Sequence, residues 1–430
     1  MKKVHVIFVS EDGVAALVCG VGSITRHFVA GFSDLAAELK ERARLEVRLS
    51  LISHKPDEGA VGVRSDLLEV SEKTCASFGG GVHLIPTNRP PGADYFDFEQ
   101  WRGYNEVANE IIARITREDE STIVLSHDGI FGYAMGRKAS VINVWVPHSL
   151  AAVHAQSYVD GRARGEWEQN ILASRLASER SYVGAISDHV ERLLCDRAVP
   201  KERIVAMRNG FHFPLLESWK SGAERIRAAL AARNIPTNKE IIFAFGRADE
   251  YKGLDIALEA MQLHLAENPS RVGVLIASRF SNEPFVGVFQ TELSEIAKRR
   301  PERIHTFFGY EFELPKLLLQ WPMTRVLLHL PTRDFAPLVP LEADVIGHDE
   351  LLVLNSDIDC MRAEIRDGVD GLLVSPSPDT VARRISELDG WSVEARRALH
   401  GRGKARVTER NNLPRNYADG ILDALERTRY

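Results

Sequence analysis

Residues 241–253 read IIFAFGRADEYKG, and the order of these residues decides the fold. The apolar run Ile241-Ile242-Phe243-Ala244-Phe245 has no polar alternation. Such a run suits a strand covered on both faces, as in a parallel sheet. It ends at Gly246-Arg247, and after a short polar turn Lys252-Gly253 leads into a helical pattern. Strand, turn and helix form the repeating unit of a doubly wound α/β sheet, in which ligands sit beyond the carboxyl ends of the strands. Arg247 and Lys252 at the mouth of one strand suit a diphosphate, because arginine offers a planar fork and lysine a point charge. Gly253 opens a helix whose free N–H groups face the same region. A solvated turn with two surface cations would show the same residues, so the flanking sequence has to decide.

Working outward, the rhythm repeats. Toward the C-terminus, strands are expected at VGVLIAS (272–278), IHTFFGY (304–310), RVLLHLP (325–331), ELLVLNS (350–356) and GLLVSP (371–376). Toward the N-terminus they are expected at VHVIFVS (4–10), VRLSLIS (47–53), STIVLSHD (121–128), VINVWVPH (141–148) and YVGAIS (182–187). Between the first two of these, Phe28, Phe32, Leu35 and Leu39 recur at helical spacing and predict one helix. The pattern restarts near residue 235, after a segment 211–236 that reads as a linker and a first helix. The expected fold is therefore α/β, with two Rossmann-like doubly wound domains facing a central cleft. Their boundaries fall at 1–212 and 213–408. Residues 409–430 then supply an amphipathic helix that returns to the first domain.

The segment after RVLLHLP reads Thr332-Arg333-Asp334-Phe335-Ala336-Pro337-Leu338-Val339-Pro340-Leu341-Glu342. It predicts a turn with exposed N–H groups running into a helix, with Pro337 in the first turn. Asp334 before the helix and Glu342 inside it can address two parts of one ligand. An N-cap aspartate and a surface glutamate are the ordinary alternative.

Composition narrows the classes. The chain has 430 residues, enough for two cores, with 44% apolar and 27% charged residues. A net charge of −6 without a basic block argues against nucleic-acid binding. The four cysteines, Cys19, Cys75, Cys195 and Cys360, form no CxxC pair, so neither a disulfide framework nor a zinc cluster is expected. The N-terminal MKKVHVIFVSEDG reads as a first buried strand, lacking the cleavage pattern of a signal peptide. No apolar stretch approaches the roughly 18 residues of a membrane span. The expected location is the cytoplasm.

Together these pieces resemble the retaining glycosyltransferases of the GT-B fold, glycosyltransferase family 4, relatives of glycogen synthase and sucrose-phosphate synthase. The resemblance extends over nearly the whole chain. It rests on Val21-Gly22-Ser23, on Ile204 to Asn209-Gly210, on FGRADEYKG (245–253), on the D-x7-E segment 334–342, and on Glu364-Ile365-Arg366-Asp367-Gly368-Val369-Asp370-Gly371-Leu372-Leu373-Val374. It implies a nucleotide-diphosphate-sugar donor, such as a UDP or GDP sugar, and a small-molecule acceptor. It also implies retention of anomeric configuration and no metal or other cofactor. Arg247 and Lys252 would grip the diphosphate, Glu342 the ribose, and Asp334 would lie near the transferring sugar. The backbone of Phe335, Ala336, Pro337 and Leu338 would meet sugar hydroxyls and phosphate. Gly309-Tyr310 would cradle the base, and Gly22 would lie under the phosphates.

His148 would stand near the donor sugar, with a capping or buried histidine as the alternative. His127 and Asp128 are acceptor-side candidates, and as adjacent side chains they do not converge on a metal. The chain departs from the family at Asp334, where Glu is usual. It departs also at Ala336-Pro337, where a Gly-containing turn is common, and at Asp359-Cys360, where paired glycines are frequent. These departures bear on donor-sugar placement. Two other functions share the pattern: a GT-B sugar-nucleotide epimerase, and a degenerate nucleotide-sugar-binding regulator. The arginine-rich composition and short chain fit a transferase of secondary-metabolite biosynthesis.

Overall fold

A computed structural model describes residues 2–56, 62–87, 95–154, 161–278, 284–299 and 302–428. The chain divides into two compact units, Met1–Leu215 with Asn411–Tyr430, and Leu216–Arg410. The sequence breaks expected after residues 212 and 408 lie within three residues of these limits. Among the described residues no helix is long and apolar enough to cross a membrane.

The first unit is built on strands β1 (Lys2–Val9), β2 (Leu45–Lys55), β3 (Val82–Pro86), β4 (Ser121–His127), β5 (Val141–Val146), β6 (Ser181–Ala185) and β7 (Ile204–Ala206). They pair in parallel in the order β3-β2-β1-β4-β5-β6-β7. The order reverses beside β1, whose Val9 pairs with Ile52 on one side and Ser126 on the other. The carboxyl ends of β1 and β4 therefore flank a topological switch point.

The single helix expected after β1 is two, Gly20–Ala30 and Phe32–Ala43. They meet at Gly31, where a side-chain Cβ would stand 2.7 Å from Cγ of Pro414. Close approach of the final helix, Leu413–Arg427, thus explains the break. Phe28, Phe32, Leu35 and Leu39 all lie fully buried, and each such side chain contributes roughly 1.5–3 kcal/mol relative to exposure. Tyr417 of the final helix packs its ring at 5.4 Å from that of Phe28.

The second unit carries β8 (Glu240–Arg247), β9 (Arg271–Ser278), β10 (Ile304–Phe307), β11 (Thr324–His329), β12 (Leu352–Ser356) and β13 (Leu372–Val374). Their parallel order is β10-β9-β8-β11-β12-β13. Here the switch point lies between β8 and β11. Leu254, Leu258 and Met261 of helix Leu254–Glu267 join Leu275, Leu328 and Leu354 in its core.

Two strands were not anticipated from sequence. β3 is a half-buried edge strand ending in proline, and β7 has three residues. Neither carries the long apolar run that marks a central strand.

Candidate functional site

In the second unit, the diphosphate candidates stand where β8 ends. Glu250–Lys252 form one 3₁₀ turn, and Gly253 takes φ 61° before the helix starts at Leu254. A Cβ on Gly253 would lie 1.9 Å from the Leu330 carbonyl oxygen, so glycine is required twice, by torsion and by contact. That contact pins the β8 turn to the segment after β11. The Thr332 N–H donates to the Tyr251 carbonyl at 2.9 Å in the same seam.

The β8 turn and the segment after β11 carry the charges. Lys252 Nζ sits 2.7 Å from Asp334 Oδ2, with both side chains mostly buried. The other Asp334 oxygen, Oδ1, accepts the Phe335 N–H at 2.8 Å. Arg247 donates to the Tyr251 hydroxyl and lies 2.7 Å from Asp249 Oδ2. Beneath them the last residue of β11, His329, is buried. Its imidazole is held neutral down to about 4, first by burial, while Asp334 and Lys252 act on it with opposite signs.

Glu342 lies in helix Val339–Ile346. Its carboxylate is 3.8 Å from Lys316 Nζ. That ammonium is itself 3.6 Å from the centre of the Phe312 ring and 4.5 Å from that of Trp219, an arrangement that favours a cation over aromatic faces. Gly309 and Tyr310 follow β10, and a Cβ on Gly309 would meet nothing within 4 Å. Open space rather than a tight turn is what that glycine offers.

Two expectations about this segment need correction. The helix begins at Val339, with Pro340 in its first turn, so Pro337 precedes the helix. Of the backbone groups from Phe335 to Leu338, the Phe335 N–H is already committed to Asp334 and the Leu338 carbonyl to the Glu342 N–H.

In the first unit, Gly22 lies inside helix Gly20–Ala30. A Cβ there would stand 2.2 Å from Asp12 Oδ2. What Gly22 accommodates is a carboxylate of the chain itself. Asp12 accepts N–H groups from Gly13 at 2.9 Å and from Val18 and Cys19 at 2.8 Å each. Burial pushes its carboxyl pKa up, and these hydrogen bonds oppose the shift. Asp12 escaped sequence reading because its partners are backbone groups six and seven residues ahead.

His127 ends β4 and is fully buried. The acceptor-side expectation for it is therefore wrong, since no acceptor reaches a side chain without exposed surface. The physical reason is that β4 is a central strand covered on both faces, so that every residue of it after Ser121 is buried. The His127 ring stacks on that of Phe8 at 4.0 Å and lies parallel to that of Tyr417 at 6.3 Å, the three rings forming one cluster. Its Nδ1 meets His148 Nε2 at 2.8 Å. Burial lowers the pKa of both imidazoles, that of His148 to about 4.

Asp128 points elsewhere, from a left-handed backbone with φ 58°. Ser149 Oγ donates to its Oδ1 at 3.1 Å and accepts from Arg164 Nη2 at 2.6 Å. Arg164 in turn donates to Glu168, which also accepts the Ala151 N–H. Aspartate is among the non-glycine residues that adopt this torsion region most readily, and here its carboxylate is held by Ser149.

Comparison with known proteins agrees with this architecture. Residues 199–404 match the family described as glycosyl transferases group 1. No curated protein sequence matches the chain. Among solved structures, an α,α-trehalose-phosphate synthase (UDP-forming) from Burkholderia xenovorans, in complex with glucose-6-phosphate, superimposes with a TM-score of 0.69 at 16% identity. The match covers 98% of this chain and 99% of that one. Sucrose-phosphate synthase from Thermosynechococcus elongatus gives 0.67 at 16%, covering 100% and 98%. Anabaena HepE, in complex with UDP and glucose, gives 0.65 at 14%, covering 98% and 99%. At such identities the likeness shows the fold. The chain thus matches the glycosyl transferases group 1 model over residues 199–404, and its two parallel sheets have the GT-B fold of these solved structures.

Proposed function

We propose that this protein is a retaining, metal-independent glycosyltransferase that moves a sugar from a nucleotide-diphosphate sugar to a small acceptor. The observation that carries this reading is the convergence of Arg247, Lys252 and Asp334 at the switch point of the second sheet. Ligands of doubly wound sheets bind at such points. In this reading Arg247 and Lys252 hold the donor diphosphate and stabilise the charge that grows on it as the sugar departs. They would supply the positive charge that a metal supplies elsewhere. Glu342 accepts hydrogen bonds from the ribose, and Lys316 beside it keeps that carboxylate in place. Gly309 and Tyr310 border the base. Asp334 lies near the sugar, where negative charge favours an oxocarbenium-like transition state. Retention and the small acceptor rest on the family resemblance, and so does a place in secondary metabolism.

The test has two parts. Thermal shifts with UDP, GDP, ADP and dTDP identify the base, because a ligand of the folded state raises the melting point by mass action. The matching sugar nucleotides are then incubated with and without candidate acceptors, with EDTA present, and the product anomer is read by NMR. Transfer with inverted configuration, or loss of transfer in EDTA, would refute the retaining or metal-independent part. A changed sugar without any acceptor would point to epimerisation. Binding without any turnover would point to a regulator.

A further inference from the structure

Full burial of His127 removes it from any ligand, yet its ring is placed with care. Its Nδ1 lies 2.8 Å from His148 Nε2, and its Nε2 is buried without a hydrogen-bond partner among the described residues. Two neutral imidazoles joined in this way admit two proton arrangements. In the first, His127 carries its proton on Nδ1 and donates to His148 Nε2, so that His148 must carry its own proton on Nδ1. In the second, His148 donates from Nε2, and His127 must then carry a proton on Nε2. The second arrangement buries an N–H that donates to nothing. The first leaves only a bare ring nitrogen, a weaker demand on its surroundings, since orphaned buried donors are the rarer defect. A charged ring in either position is disfavoured by burial.

We propose that His127 is a positioning residue that locks His148 in the tautomer protonated on Nδ1, so that His148 offers the reaction an N–H donor and not a base. This rests on the reading of His148 as a group beside the donor sugar. His148 is half-buried, and Nδ1 is the nitrogen its pairing with His127 leaves for a ligand. Its natural partner is an oxygen with a free lone pair, a sugar hydroxyl or a phosphate oxygen. The acceptor's proton must then leave by another group. Full burial and the stacked Phe8 ring at 4.0 Å resist rotation of His127, which would break the lock. The nearby charge is Asp128, which favours the charged form of His148 but is outweighed by burial.

The test reads the nitrogens directly. Long-range proton–nitrogen correlation on protein with labelled histidine, at pH 7.5, distinguishes protonated from bare ring nitrogens. The His148 signals are assigned by their loss in His148→Gln. The expected result is a protonated Nδ1 and a bare Nε2 on His148. His127→Phe keeps an aromatic ring against Phe8 but removes the donor. His148 should then show mixed tautomers, and kcat should fall about tenfold with little change in donor KM. His127→Asn, whose amide N–H can donate from the same place, should restore the Nδ1–H form and part of the rate. A proton on Nε2 of His148 in the parent would overturn the proposal, as would an unchanged nitrogen pattern in a folded His127→Phe. Should that variant fail to fold, the parent spectrum alone decides. Parental turnover in His148→Gln would instead sink the reading of His148 at the sugar, whatever the tautomer proves to be.

Discussion

Lys252 and Asp334, 82 residues apart in sequence, form a 2.7 Å ion pair where β8 and β11 end. The cation proposed for the diphosphate is therefore already paired with the carboxylate proposed for the sugar. A bound diphosphate competes with Asp334 for the same ammonium. Asp334→Asn should consequently have two effects of opposite sign. Free nucleoside diphosphate should bind more tightly, by about 1 kcal/mol or roughly fivefold, because Lys252 is released and a negative charge is gone. Turnover should fall, because the transition state loses a nearby negative charge. Calorimetric titration with the diphosphate, beside kcat with the sugar nucleotide, checks both. Weaker diphosphate binding in Asp334→Asn would show that the carboxylate orients Lys252 more than it competes for it.

The diphosphate grip itself is tested by removing the cations singly. Lys252→Ala and Arg247→Ala should each weaken diphosphate binding by about one to two orders of magnitude, since hydrogen bonds to charged groups contribute about 1.5–3 kcal/mol. The corresponding nucleoside should bind nearly as it does to the parent. Lys252→Ala also leaves Asp334, which is mostly buried, without its partner. It should therefore melt lower, and Arg247→Ala should melt lower by a smaller margin, since its pair with Asp249 is the more exposed of the two. Equal diphosphate affinity in parent and both variants would move the donor site elsewhere.

Glu342 and Lys316 concern the ribose. Glu342→Gln keeps size and removes charge, so donor KM should rise severalfold while kcat changes little. The same variant should lose discrimination between the ribonucleotide and its deoxy analogue, because the charged acceptor that distinguishes the hydroxyls is gone. Lys316→Met keeps the chain length over Phe312 and Trp219 and should raise donor KM in the same direction. Competition by deoxynucleoside diphosphate is the measurement. Unchanged discrimination in both variants would reduce Glu342 to a helix-surface carboxylate.

The fold was legible in sequence where burial on both faces leaves unbroken apolar runs, as in β1, β4, β8 and β11. It was not legible where an edge strand is short or half-exposed, as in β3 and β7. Gly31, a helix-ending residue type, was the local signal of the break, and its close approach to Pro414 could not be read from sequence. The candidate site divides in the same way. Arg247, Lys252, Asp334 and Glu342 could be found from their places after strands. Their pairing could not, since ion pairs such as Lys252–Asp334 and Lys316–Glu342 join separate segments. Asp12 was missed because Gly22, the residue that drew attention, makes room for it. The adjacent His127 and Asp128 looked alike in sequence, but His127 is the last residue of a strand buried on both faces, whereas a φ of 58° turns Asp128 out of the strand and leaves it half-exposed.

Acid stability follows from the buried imidazoles. Burial holds His5 down to about 3 and His148, His329 and His400 down to about 4, and it also depresses His127. An unperturbed histidine titrates at 6.5. Between that value and the folded one, the unfolded chain binds protons that the folded chain refuses. Stability from these groups is thus full above pH 6.5 and is lost as pH falls toward 4. Asp344 acts in the other direction. Burial pushes its carboxyl up to about 7, so its contribution is full below the ordinary aspartate value of 3.8 and is lost as pH rises through 7. Thermal melts at pH 7.5, 6.0 and 4.5 should show a falling transition on the acid side. In His127→Phe that acid-side fall should be shallower, because one refused proton is gone, even if the variant melts lower at pH 7.5. Asp344→Asn should leave the acid side unchanged or steeper and flatten the change between pH 6 and 8. An acid-side slope that is the same in parent and His127→Phe would mean that His127 takes up its proton in the folded state, and that its contact with His148 survives as a charged pair.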